Sequence, residues 1–140
     1  MKRLFFLRER ARLRLGNRGA TAVEFALIGP SLVLLLFGTI EGGRMLWTQN
    51  ALQYAVEQAA RYAVVCNKPT TPCPTPAQIQ SKAASMAYGQ NLSTSVFSVA
   101  TPACGTQVSA SLPYTTAAPV SFSVTLTAQS CRPCVVGTNC

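Results

Sequence analysis

From Phe25 to Ile40 the chain runs for sixteen residues without a charge, built mainly from Leu, Val, Ile and Phe. Counted from Ala20, the stretch is 21 residues long. As an α-helix it reaches about 31 Å, enough to cross the hydrocarbon core of a bilayer. One ionisable group, Glu24, stands near its start. A carboxylate in lipid costs about 2.5–3.5 kcal/mol even on a lenient insertion scale, so an acid carried there is a functional candidate.

Charge is distributed to match. Of the twelve Lys and Arg residues in 140, seven lie in residues 1–19 against one acid, Glu9, so that segment holds +6 of the formal +8. Basic residues immediately before an apolar span place that end in the cytoplasm and the remainder outside. A secretory signal peptide has a shorter apolar core with its small-residue cleavage site after it; here a glycine, Gly19, precedes the apolar run. Residues 20–140 carry five bases and three acids, and basic and aromatic residues do not alternate there. That argues against nucleic-acid binding.

All six cysteines (Cys66, Cys73, Cys104, Cys131, Cys134 and Cys140) follow residue 65, on the side expected to be exported. An even number in an oxidising compartment reads as a disulfide framework. Six cysteines permit fifteen pairings; we expect Cys66–Cys73 locally, with Cys104 tied to the 131–140 tail. Histidine is absent, which removes the commonest general base and metal ligand. No cofactor and no metal site is expected.

The helix continues beyond the apolar run. Met45, Leu52, Val56, Ala59 and Ala63 share one face, while Gln49, Gln53, Glu57 and Arg61 share another, with Glu57 and Arg61 paired at i, i+4. One helix over about residues 20–65 is the economical reading, with Pro30 a place for a kink or local loosening and Gly42–Gly43 a soft point. Residues 66–76 form a Pro/Thr/Cys loop. Thr75, Pro76 and Gln78 then open a short helix as a capping box with proline at the first position. Ile79, Ala83 and Met86 form its buried stripe, and Gly89 its stop. Residues 93–100, 106–114 and 119–128 read as strands; Val120, Phe122, Val124 and Leu126 alternate with Ser121, Ser123, Thr125 and Thr127. The fold class is therefore α+β: a long transmembrane and amphipathic N-terminal helix, a short helix, and a small antiparallel sheet with one wet face. So small a core needs its disulfides.

"RGATAVEFALIGPSLVLLLFGTIEGGRMLW", residues 18–47, resembles the N-terminus of TadE-like proteins, pilin-like components of the bacterial Tad (Flp, type IVc) pilus system. The resemblance lies in the basic leader ending in Gly19, Glu24–Phe25 at prepilin spacing, Pro30 opening a Leu-rich run, and "GTIEGGR" closing it. "EQAARYAVV", residues 57–65, resembles the Ala/Arg-rich continuation. The similarity is firm over about residues 18–65.

The resemblance implies that prepilin peptidase cuts between Gly19 and Ala20. Glycine suits such a site because no side chain obstructs the extended backbone. Ala20 then carries a new ammonium, and Glu24 is the acid that pairs with the N-terminal amine of an adjacent subunit, beside Phe25. Glu41 and Arg44 sit at i, i+3 where the helix leaves the membrane, either as a solvated ion pair or as a contact to assembly partners. Gly38 and Gly42 form a GxxxG suited to close helix approach.

These readings divide the chain into a leader (1–19), a transmembrane helix (20–41), its amphipathic continuation (42–65) and a periplasmic cysteine-containing head (66–140). The implied protein is a minor pilin or pseudopilin of the inner membrane, N-in and C-out, serving a pilus of adhesion and biofilm formation, and not itself an enzyme. Implied partners are prepilin peptidase, the major pilin, other TadE/TadF/TadG-type minor pilins and the inner-membrane assembly platform. Two alternatives stay open. One is a membrane-anchored thiol–disulfide protein using Cys131 and Cys134, although these follow a strand and not a helix N-terminus. The other is a generic single-pass envelope protein in which Glu24 is incidental.

Overall fold

A computed structural model describes residues 17–65, 72–116 and 121–133. The order of elements is α1 (Asn17–Val64), α2 (Pro76–Met86), a 3-10 turn (Thr94–Val96), β1 (Phe97–Ala100), β2 (Thr106–Thr115) and β3 (Ser123–Arg132). The chain divides into two compact units, Met1–Phe37 and Gly38–Cys140, and α1 contributes residues to both.

In the first unit α1 remains α-helical on both sides of Pro30. Proline removes one backbone donor. One residue on, the Ser31 hydroxyl donates to the carbonyl of Leu27 at 3.2 Å, so this polar group in the apolar run is satisfied within its own helix. The expected loosening at Pro30 does not interrupt the helix.

The second unit is the α+β head anticipated above. Three antiparallel strands lie in the order β1-β2-β3. Phe97 pairs with Ala110 and Ala110 with Ala128, so one sheet face carries Phe97, Val108, Ala110, Leu126 and Ala128 into the core. The same core takes Leu52, Val56, Ala59 and Ala63 from α1, with Ile79 and Ala83 from α2. Much of the helical contribution is alanine, which lets backbones approach closely at little side-chain entropy. Side-chain amides stitch the elements together. Gln49 Nε2 donates to the Thr127 carbonyl at 2.8 Å, and Gln80 Nε2 to the Phe97 carbonyl at 3.0 Å.

At α2 the Thr75 N–H donates to Gln78 Oε1 at 2.8 Å, and the Gln78 N–H returns a bond to Thr75 Oγ1 at 3.4 Å. Cys104 and Cys131 form a disulfide between the loop before β2 and the end of β3. Closing a separation of 27 residues limits the unfolded chain by about 3–4 kcal/mol in the chain-entropy account. That is substantial for so small a core.

Four local expectations need correction. Residues 94–96 form a 3-10 turn because Ser93 Oγ accepts from the Ser95 N–H, so β1 begins only at Phe97. The third strand covers Ser123–Arg132 and not 119–128; Phe122 is 56 % exposed, outside the core its alternation suggested. Gly89 does not stop α2, which ends at Met86 with Ala87 as its cap. It serves the following turn, where the Tyr88 N–H reaches the Met86 carbonyl and φ at Gly89 is +74°. Glu57 accepts from Gln53 Nε2 at 3.4 Å, one turn before it, in place of the expected Arg61. Residues 1–16, most of the 66–76 loop including Cys66, Val120 of the third expected strand, and Cys134 and Cys140 lie outside the described residues.

Candidate functional site

The apolar segment is bare. Among the described residues, the most hydrophobic 18-residue window of α1 has none of its residues buried by the rest of the chain, and the helix is long and apolar enough to cross a membrane. Gly19, Ala20, Glu24 and Phe25 are all exposed, as is Pro30. Ala20 and Glu24 are four residues apart, one above the other on the helix at a Cβ separation of about 5–6 Å. Among the described side chains nothing bonds to Glu24.

The Phe25 ring lies along the next turn of the helix, where a β-carbon at Gly29 would make an ordinary contact with it at 3.5 Å. At Gly38 and Gly42 a β-carbon would meet no atom of this chain within 4 Å, so packing inside the chain does not demand glycine at either.

A second cluster gathers where the apolar run ends. Arg44 Nη1 donates to Glu41 Oε2 at 3.3 Å, and the Tyr114 hydroxyl donates to Glu41 Oε1 at 3.0 Å. The Arg44 side chain is 61 % exposed but that of Glu41 only 12 %. The acid is therefore enclosed by the head and is not half of a freely solvated pair. Thr48, buried one turn after Arg44, donates its hydroxyl to the Arg44 carbonyl at 3.0 Å. Burial, the hydrogen bond to Glu41 and its negative charge together hold the Tyr114 phenol above its ordinary value, with Arg44 acting in the opposite sense. Nothing in the sequence pointed to Tyr114, because its partner lies 73 residues away and β2 alternates only weakly.

The cysteine chemistry resolves in part. Cys131 is bonded to Cys104, so the Cys131–Cys134 pair that a thiol–disulfide exchange motif would use is not formed. Cys73 is also disulfide-bonded, with a partner outside the described residues.

Residues 19–61 match the family model described as TadE-like protein. No curated protein and no solved structure matches the chain significantly. The matched segment starts at Gly19 and takes in Glu24, Phe25, Pro30, Glu41 and Arg44. Over that segment the chain is similar to TadE-like proteins, a likeness that points to the Tad pilus system. With the exposed apolar helix, the match supports membrane anchoring.

Proposed function

We propose that this chain is a minor pilin or pseudopilin that takes part in assembling a Tad (type IVc) pilus for adhesion and biofilm formation. The observation that carries the reading is one coincidence. The segment that matches the TadE-like family contains the apolar window that the rest of the chain leaves uncovered. Such a helix requires lipid or neighbouring helices around it.

In this reading residues 1–19 lie on the cytoplasmic side of the inner membrane and the head lies in the periplasm. Prepilin peptidase hydrolyses the Gly19–Ala20 bond, leaving a carboxylate on the leader and an ammonium on Ala20. Glu24 of one subunit meets the ammonium of a neighbour. Two charges that are separately costly in lipid thereby neutralise each other and fix the register of packing. Phe25 and the small surfaces at Gly38 and Gly42 suit close helix contact with the major pilin or with TadE-, TadF- and TadG-type subunits. The head presents itself to the assembly platform. The chain is thus a substrate and a building block, not a catalyst.

Glu24→Ala tests this. The variant should still resist carbonate extraction from membranes. Sheared filament yield should fall roughly tenfold or more, as for a loss of about 1.4 kcal/mol per subunit contact. Wild-type piliation in Glu24→Ala would refute the pairing.

A further inference from the structure

Beside Ile40, where the apolar run ends, the head carries a cleft of about 550 Å³. Ile40, Gly43, Arg44 and Trp47 form one side, with Gly89 and Gln90 from the turn after α2 on the other. Trp47 is shared with an adjoining apolar hollow of about 240 Å³ that also takes in Ala51, Tyr54 and Tyr88. The rings of Tyr54 and Tyr88 lie 5.5 Å apart, yet Trp47 remains 64 % exposed and Tyr88 60 %. Gly89 turns the chain beside them at φ +74°, a conformation that favours glycine, and a β-carbon there would make an ordinary contact of 3.6 Å with the Trp47 indole nitrogen.

We propose that this cleft seats a phospholipid headgroup of the leaflet from which α1 emerges, with its phosphodiester on Arg44 and the Trp47 ring at the rim of the headgroup layer. Position supports it first. Arg44 and Trp47 follow Ile40 by four and seven residues, about 6 and 10 Å of helix rise, and the polar layer of a bilayer is about 5–8 Å deep on each side. A helix that spans to Ile40 therefore delivers both side chains to that layer or its rim. Charge supports it next. Glu41 is mostly enclosed and bonded to Arg44 and Tyr114, so the charge the cleft exposes is the guanidinium. That group carries five N–H donors in a fork suited to phosphate oxygens, and one meets Glu41 in the structure. Composition agrees, because tryptophan with an exposed ring face concentrates at membrane interfaces. The inference rests on α1 spanning a membrane and is independent of any role in a pilus.

Trp47 is the chain's single tryptophan, so its emission reports on the cleft directly. The full chain is reconstituted into phosphatidylethanolamine/phosphatidylglycerol vesicles and floated on a density gradient. Trp47 is then challenged with lipids labelled by a quencher at the headgroup, with lipids labelled at the acyl end, and with acrylamide in the buffer. The expected result is flotation, emission shifted to the blue of tryptophan in water, and quenching stronger from the headgroup label than from the acyl end. Arg44→Gln and Gly43→Leu should each lose part of the headgroup quenching. In the second, the new side chain starts where no atom lies within 4 Å and grows into the cleft, so the fold should persist. A chain that floats while Trp47 responds only to acrylamide overturns the headgroup assignment and leaves the anchor standing. Shielding from all three quenchers also overturns it, assigning the cleft to a protein neighbour. A chain that fails to float removes the span and the cleft assignment together.

Discussion

A β-carbon at residue 105 would overlap the carbonyl oxygen of Arg132 and crowd the Cα of Pro133, in a backbone already at φ +116°. The close approach follows from the neighbouring Cys104–Cys131 bond, which draws the start of β2 against the end of β3. Gly105→Ala should destabilise the head by about 2–3 kcal/mol, through backbone strain and a displaced strand end. The check is a lower urea midpoint for the detergent-solubilised variant. Tyr114 behaves differently because its hydroxyl is an adjustable group. The folded phenol titrates above its ordinary value of 10.0, so the folded head holds that proton more firmly than the unfolded chain. The contribution is complete below the unfolded value and disappears as pH rises through the folded one. Alkaline titration should therefore weaken the wild-type head more steeply than Tyr114→Phe, which lacks the ionisable group. Parallel alkaline limbs would show that the bond to Glu41 adds nothing.

Among the elements, α2 was the most readable, since its start is written in three adjacent choices: Thr75 as cap, Pro76 at the first position, and Gln78 returning the bond. Thr75→Ala should cost about 1 kcal/mol, seen as a shift in the denaturation midpoint at unchanged slope. α1 was legible next, because its 3.6-residue stripe through Leu52, Val56, Ala59 and Ala63 is what the core takes in. The strands were legible as alternation but not as register. Period-2 patterning covers 119–128, yet pairing runs on to Arg132, since β3 must align with Val108 and Ala110 and reach Cys104 with Cys131. Residues 93–96 looked extended, but Ser93 offers the backbone a local hydrogen bond that a propensity reading does not weigh. The contact of Tyr114 with Glu41 was invisible for a similar reason: it is decided by how β2 comes to meet α1, not by any local spacing.

At the scale of the whole molecule, the head buries its own core while the apolar window of α1 stays uncovered by the chain. That division of labour suits a subunit anchored and assembled through its helix. The residues proposed for processing and assembly follow from the resemblance to TadE-like proteins, which the sequence carries in Gly19, Ala20 and Glu24 at the fifth position after the glycine. The exposed polar side chains of the head carry no comparable pattern. The central claim is that this spacing is a processing signal before it is a contact. It is tested most directly by sequencing the N-terminus of the chain recovered from cells with and without prepilin peptidase. The account predicts a chain beginning at Ala20 when the peptidase is present and retaining residues 1–19 when it is absent. A mature chain that begins elsewhere, or one cut at Gly19 regardless of the peptidase, would contradict it.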